Sequence, residues 1–133
     1  NKKNWQAAKE ELADAYLAQG LTEEGLFQLD GILRCFPWRV DVLEKKAAVL
    51  NETGRPDLAL LALRQANSQL ETAFNTKIIG ALLLQSNRLD EGLPYLERAY
   101  RLNPNDPQNL YNLSGAYALK KDFVKSFEMA ERL

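Results

Sequence analysis

Residues 73–106 read AFNTKIIGALLLQSNRLDEGLPYLERAYRLNPND, and residues 107–133 read PQNLYNLSGAYALKKDFVKSFEMAERL. Laid one over the other, they set Gly80 above Ser114, Leu83 above Tyr117, Asn87 above Lys121, Gly92 above Ser126, Leu96 above Ala130 and Ala99 above Leu133. Small residues meet small ones and apolar residues meet apolar ones, which is the mark of a stacked repeat. The frame continues toward the N-terminus. Gly20, Gly54, Asn87 and Lys121 follow one another at spacings of 34, 33 and 34 residues. One column then reads Ala13, Ala47, Gly80, Ser114, and a second reads Gly25, Ala59, Gly92, Ser126. Bulky apolar columns lie between them: Tyr16, Leu50, Leu83, Tyr117; Leu29, Leu63, Leu96, Ala130; and Ile32, Ala66, Ala99, Leu133.

Within each copy the apolar spacing is helical, with a break after Gly20 or its equivalent, so each unit reads as a helix hairpin. Helix axes approach closely only where side chains are small, which explains two small columns among large ones. The pattern predicts helices over 4–19, 22–35, 38–53, 56–70, 73–86, 89–102, 107–120 and 123–133. Gly20, Gly54 and Asn87 suit the left-handed residue that closes a helix. Thr22, Asp106 and Asp122 are expected N-caps, and Pro56 and Pro107 suit first-turn positions. Pro94 falls early in its helix, where a missing N–H does least damage, so no break is expected there.

Composition narrows the chemistry. The 133 residues are 46% hydrophobic and 26% charged, as in ordinary folded chains. Lys plus Arg is 17 and Asp plus Glu is 18, a formal net charge of -1, so a phosphate-tracking surface for nucleic acid is not expected. There is no His, which removes the commonest general base and the commonest zinc ligand; no catalytic residue, metal site or cofactor is assigned. The single Cys35 forms no internal disulfide and is expected to be a small buried apolar group. No apolar run reaches the roughly 18–20 residues of a membrane span, so membrane insertion is not expected. Glu10-Glu11, Glu23-Glu24 and Asp90-Glu91 are adjacent carboxylates that point to different azimuths on a helix and read as surface charges.

The copies resemble the tetratricopeptide repeat, a 34-residue helix-turn-helix with the pattern W-x2-L-G-x2-Y, A-x3-F, P. The repeats are residues 6–39, 40–72, 73–106 and an incomplete 107–133, covering nearly all of a single domain, 1–133. The second departs most: it is one residue short, carries Lys46 where the pattern has Leu, and ends without Pro. What the resemblance implies is an all-α, right-handed solenoid of antiparallel helix pairs, with the first helix of each pair lining a concave groove. It also implies a protein-protein interaction or scaffold module, not an enzyme, that binds a peptide or protein partner.

On that geometry the groove carries Glu10, Asp14, Asp41 and Glu44 in its early half and Phe74, Lys77, Leu84 and Tyr111 in its later half. The acids would favour the basic end of a partner segment, although acids near helix starts also answer the helix dipole. Some modules of this family clamp a terminal carboxylate with Lys, Asn and Arg. The matching positions here are Glu10, Asp14, Lys45, Phe74 and Ile78, or one repeat along Glu44, Ala48, Ile78, Gln108 and Asn112, and neither set is basic. The face carrying Phe127, Ala130 and Leu133 is expected to be an uncovered apolar patch, serving end-on self-association or marking a fragment of a larger protein. An accessory region packed against the other domains of a multidomain enzyme or assembly is the alternative reading.

Overall fold

The computed structural model describes residues 1–133 and contains eight α-helices and no strand. Helices α1 (Lys2–Ala18), α2 (Thr22–Cys35), α3 (Val40–Glu52) and α4 (Pro56–Gln69) lie in a first unit, Asn1–Leu70. Helices α5 (Ala73–Gln85), α6 (Leu89–Leu102), α7 (Pro107–Leu119) and α8 (Phe123–Glu131) lie in a second, Glu71–Leu133. All eight expected helices form, with ends displaced by no more than two residues. Pro94 sits inside an unbroken α6.

One turn closes all four hairpins. Gly20, Gly54, Asn87 and Lys121 have φ of +77°, +78°, +58° and +65°. In each case the next residue donates its N–H back to the apolar column: Leu21 to the Tyr16 carbonyl (2.9 Å), Arg55 to Leu50 (2.8 Å), Arg88 to Leu83 (2.8 Å) and Asp122 to Tyr117 (2.9 Å). This is the six-to-one bond that satisfies a helix C-terminal carbonyl when the following residue turns left-handed.

Starts are set by side-chain caps at several helices. Asp106 accepts from the Gln108 N–H (3.0 Å), Asp122 from the Lys125 N–H (3.2 Å), Thr72 from the Asn75 N–H (3.0 Å) and Asn1 from the Asn4 N–H (2.9 Å). Thr22 differs from expectation: it is the first helical residue, and Leu21 holds the cap position without a side-chain bond. The turn explains this, because the bond from Leu21 to Tyr16 fixes where the chain re-enters a helix.

The two small columns meet at the crossings. A Cβ on Gly25 would lie 2.6 Å from the Leu17 side chain and 3.4 Å from the Ala13 carbonyl. On Gly92 it would lie 3.0 Å from Leu83 Cβ and 3.4 Å from the Gly80 carbonyl. In the fourth copy Ser114 and Ser126 face each other at the same place. Backbones therefore approach at matching positions along the chain, and a larger side chain would force them apart.

Each unit hides its own apolar stripe. In the first, Ala13, Leu29, Ile32 and Val42 are buried together, with Leu33 and Phe36 packed against them. In the second, Leu96, Leu110, Leu113, Ala116, Tyr117 and Met129 form the core, joined by the half-buried Leu84, Leu89, Leu93 and Tyr100. Asn109 ties α7 to the end of α6 by donating to the carbonyls of Ala99 (3.1 Å) and Asn103 (2.9 Å). Lys46, the irregular residue of the second copy, is accommodated as a half-buried ion pair with Asp30 at 2.8 Å. Cys35 is exposed, not buried as expected. The next residue, Phe36, takes the place against the core, which leaves the thiol outside.

Candidate functional site

In the first unit, the expected acidic residues lie on α1 and α3, and most already have cationic partners. Arg39, in the connection before α3, bridges the two helices: its guanidinium binds Glu10 of α1 and both carboxylate oxygens of Asp41 (2.9 and 2.7 Å), and it also donates to Gln6. Lys45 of α3 reaches Asp14 of α1 at 3.0 Å. The hydrogen bonds from Arg39 hold the Asp41 carboxyl below the usual carboxylate range, and those acids in turn raise the Arg39 guanidinium further above neutrality. Glu44 is half-buried on α3. A shallow depression of about 380 Å³ runs beside Gln6, Glu10, Asp14 and Arg39.

In the second unit, Phe74 on α5 and Tyr111 on α7 are 61% and 67% exposed. Lys77 lies between two neighbours, 5.5 Å from the centre of the Phe74 ring and 2.9 Å from Asp106. That contact, with the Gln108 N–H, holds the Asp106 carboxyl below its ordinary value. Gly115 adds open space on α7, since a Cβ there would meet nothing within 4 Å. Leu84 is placed differently from its neighbours on the expected stripe: it is half-buried and packs against the core.

The two units share a rule that the side-chain types conceal. Glu10 and Lys77 stand in the same repeat column, as do Arg39 and Asp106, so the ion pairs Glu10–Arg39 and Lys77–Asp106 are one position pair with the charges exchanged. The first helix of one hairpin is tied to the entrance of the next by this pair in both units.

One apolar surface had no counterpart in the sequence reading. Phe27 of α2 and Leu58 and Leu61 of α4 are exposed around a depression of about 360 Å³. Its rim holds the ion pairs Asp30–Lys46 and Glu23–Arg55. Each of these apolar residues lies off the repeat columns, which is the only sequence signal that they face outward. No three His, Cys, Asp or Glu side chains converge as a metal site requires. No helix is long and apolar enough to cross a membrane.

Comparison with known proteins supports the repeat assignment. No family model matches the chain. A TPR repeat-containing protein, PA4667 of Pseudomonas aeruginosa, is 33% identical over 86 residues, which is 64% of this chain and 15% of that protein. A crystal structure of MamA superimposes with a TM-score of 0.89 at 19% identity, over 98% of this chain and 72% of that one. The chain has the tetratricopeptide-repeat fold. The O-GlcNAc transferase of Thermobaculum terrenum contains a similar arrangement, with a TM-score of 0.66 and 20% identity over 88% of this chain but 23% of that one. The chain thus spans a small part of two of these three proteins.

Proposed function

We propose that the chain is a non-catalytic protein-interaction module and that the face made by α5 and α7 receives a peptide segment of its partner. The observation that carries this reading is the pair of solvent-facing rings, Phe74 and Tyr111, on the first helices of adjacent hairpins. Aromatic side chains dominate the energetics of protein interfaces, and an exposed pair beside open space at Gly115 offers anchors for apolar side chains. Lys77 supplies a cation at the same face, shared with Asp106.

The early half of the expected groove plays the smaller part in this proposal. A basic partner residue approaching Glu10, Asp14 or Asp41 has to displace Arg39 or Lys45, so the exchange of one cation for another gains little.

Selection of peptides from a random displayed library on the immobilised chain tests the proposal. The selected peptides are expected to carry apolar or aromatic residues and to shift the amide resonances of α5 and α7 on titration. Peptides that bind but perturb only α2 and α4, around Phe27 and Leu61, would move the site to the other surface.

A further inference from the structure

The trough between α2 and α4 is apolar where the corresponding trough of the second unit is not. In the first unit the backbones of α2 and α4 both lie beside α3 and do not approach each other, and the gap holds two adjoining depressions of about 360 and 410 Å³. Phe27, Leu58 and Leu61 stand along its walls, each at least half exposed. Their column mates in the second unit are Pro94 of α6 and Lys125 and Glu128 of α8, all exposed. The hairpins therefore fold with proline or charge at these positions, and packing within the repeat does not account for the apolar residues of the first unit. An exposed apolar cluster that the fold does not require marks a contact with another molecule.

The polar groups along the trough narrow what that molecule is. Glu23 is paired with Arg55 and Asp30 with Lys46, so the walls offer little hydrogen bonding to an extended segment, whose backbone groups would be left unmet. A helix satisfies its own backbone and lays an apolar stripe into a groove. Arg34, in the last turn of α2, is the charge left over: it lies over the Phe27 ring at 5.8 Å from its centre, lines the second depression, and has no carboxylate partner. The C-terminal ends of both α2 and α4 border that depression, and their carbonyls favour the N-terminus of an incoming helix there.

We propose that the trough receives an amphipathic helix of a partner protein, antiparallel to α2 and α4, with its apolar stripe on Phe27, Leu58 and Leu61 and an acidic residue of its first turn on Arg34. The chain's own helices with first-turn acids, α2, α3, α4 and α6, are each fixed against a hairpin partner with buried apolar residues. Helix α8, which exposes Phe127 and Ala130 with Leu133 beyond it, has no acid in its first turn. A different protein, not a second copy, therefore supplies the helix.

The probe is a displayed library of single helices about four turns long, the length of α2 and α4, with one face and the first turn randomised, selected on the 133-residue chain. Selected helices should carry apolar residues at i, i+3 or i+4, and i+7, with Asp or Glu in the first turn, and should shift the amide resonances of α2, α3 and α4. Leu58→Lys/Leu61→Glu installs the residues that the second unit carries in those columns, so the fold should hold, as far-UV circular dichroism checks, while the dissociation constant rises at least tenfold. Arg34→Glu should weaken binding about threefold, and Lys in place of the helix's first-turn acid should restore it. Failure to select any helix, an affinity unmoved by Leu58→Lys/Leu61→Glu, or an Arg34→Glu loss that the charge exchange does not restore overturns the proposal. So does a dimer of the unmodified chain that Leu58→Lys/Leu61→Glu dissociates, since a second copy would then be the occupant. Phe74→Ala/Tyr111→Ala should leave the helix affinity unchanged, so this site and the α5–α7 face stand or fall separately; a helix released by loss of those rings overturns the assignment to α2 and α4.

Discussion

Ser114 and Ser126 hydrogen-bond each other's backbone carbonyls: the Ser114 hydroxyl donates to the Ser126 carbonyl at 3.1 Å, and the Ser126 hydroxyl donates to the Ser114 carbonyl at 2.9 Å. This reciprocal pair stands where the first copy has Ala13 and Gly25 and the third has Gly80 and Gly92. Close approach of two helices is thus achieved in one chain by absent side chains and by hydroxyls that use the backbone they approach.

The crossing positions should tolerate deletion far better than enlargement. Ser114→Ala is expected to cost about 1 kcal/mol, the ordinary net value of one hydrogen bond. Gly80→Ala should cost more, about 1–3 kcal/mol, because its Cβ would lie 2.7 Å from Leu96 Cδ2 and 3.1 Å from the Leu96 backbone nitrogen, and backbone cannot step aside. Urea unfolding of both variants against the parent checks the order.

Lys121 holds a left-handed conformation, φ +65°, at the turn that uses glycine in the first two copies. Lys121→Gly should stabilise the chain by roughly 0.5–1 kcal/mol by removing the Cβ strain, less the extra freedom of glycine in the unfolded chain. Gly20→Ala, at φ +77°, should move the melting temperature in the opposite direction. Thermal unfolding measures both.

Alkaline pH should expose the role of Tyr117. Burial, reinforced by its hydrogen bond to Glu97, pushes the phenol up to about 12 from 10.0. The neutral phenol is the form the fold favours, so its contribution is complete below pH 10 and is lost as pH rises toward 12. Tyrosinate absorbance should include a late-titrating component from Tyr117, and Tyr117→Phe should remove it and flatten the alkaline loss of stability.

On the acid side, Asp106 is held below its ordinary value of 3.8 by Lys77 and the Gln108 N–H. Its contribution is present above that pH and disappears as pH falls through the lowered folded value. Asp106→Asn keeps a side chain able to cap α7 but removes the charge. That variant should lose no more than about 1 kcal/mol at neutral pH and show a shallower stability loss in acid, read by denaturant midpoints across the acid range.

Periodicity made the helices, turns and crossings legible because each is set by residue size or backbone freedom at one position. Gly20, Gly54 and Asn87 announce a left-handed turn by type, whereas Lys121 announces it only by column. Pairing was harder to read. Arg39 lies in a connection, and its reach to Glu10 depends on where the fold places two distant segments, so an acidic stripe in the sequence becomes a set of ion pairs in the molecule. The exchanged charges of Lys77 and Asp106 were the available clue, since one position pair recurs in both units. Cys35 and Phe36 show a further limit: adjacent apolar residues at a helix end compete for one place against the core, and spacing alone does not decide between them.

The proposed binding face is tested most directly by the affinity of a library-selected peptide for the chain and for Phe74→Ala/Tyr111→Ala. Both rings are exposed, so their loss should leave the fold intact while the dissociation constant rises at least tenfold, as for truncated aromatic anchors at other interfaces. Charge reversal at Glu10 and Asp14 should change it by less. An affinity unmoved by the loss of both rings would contradict the account.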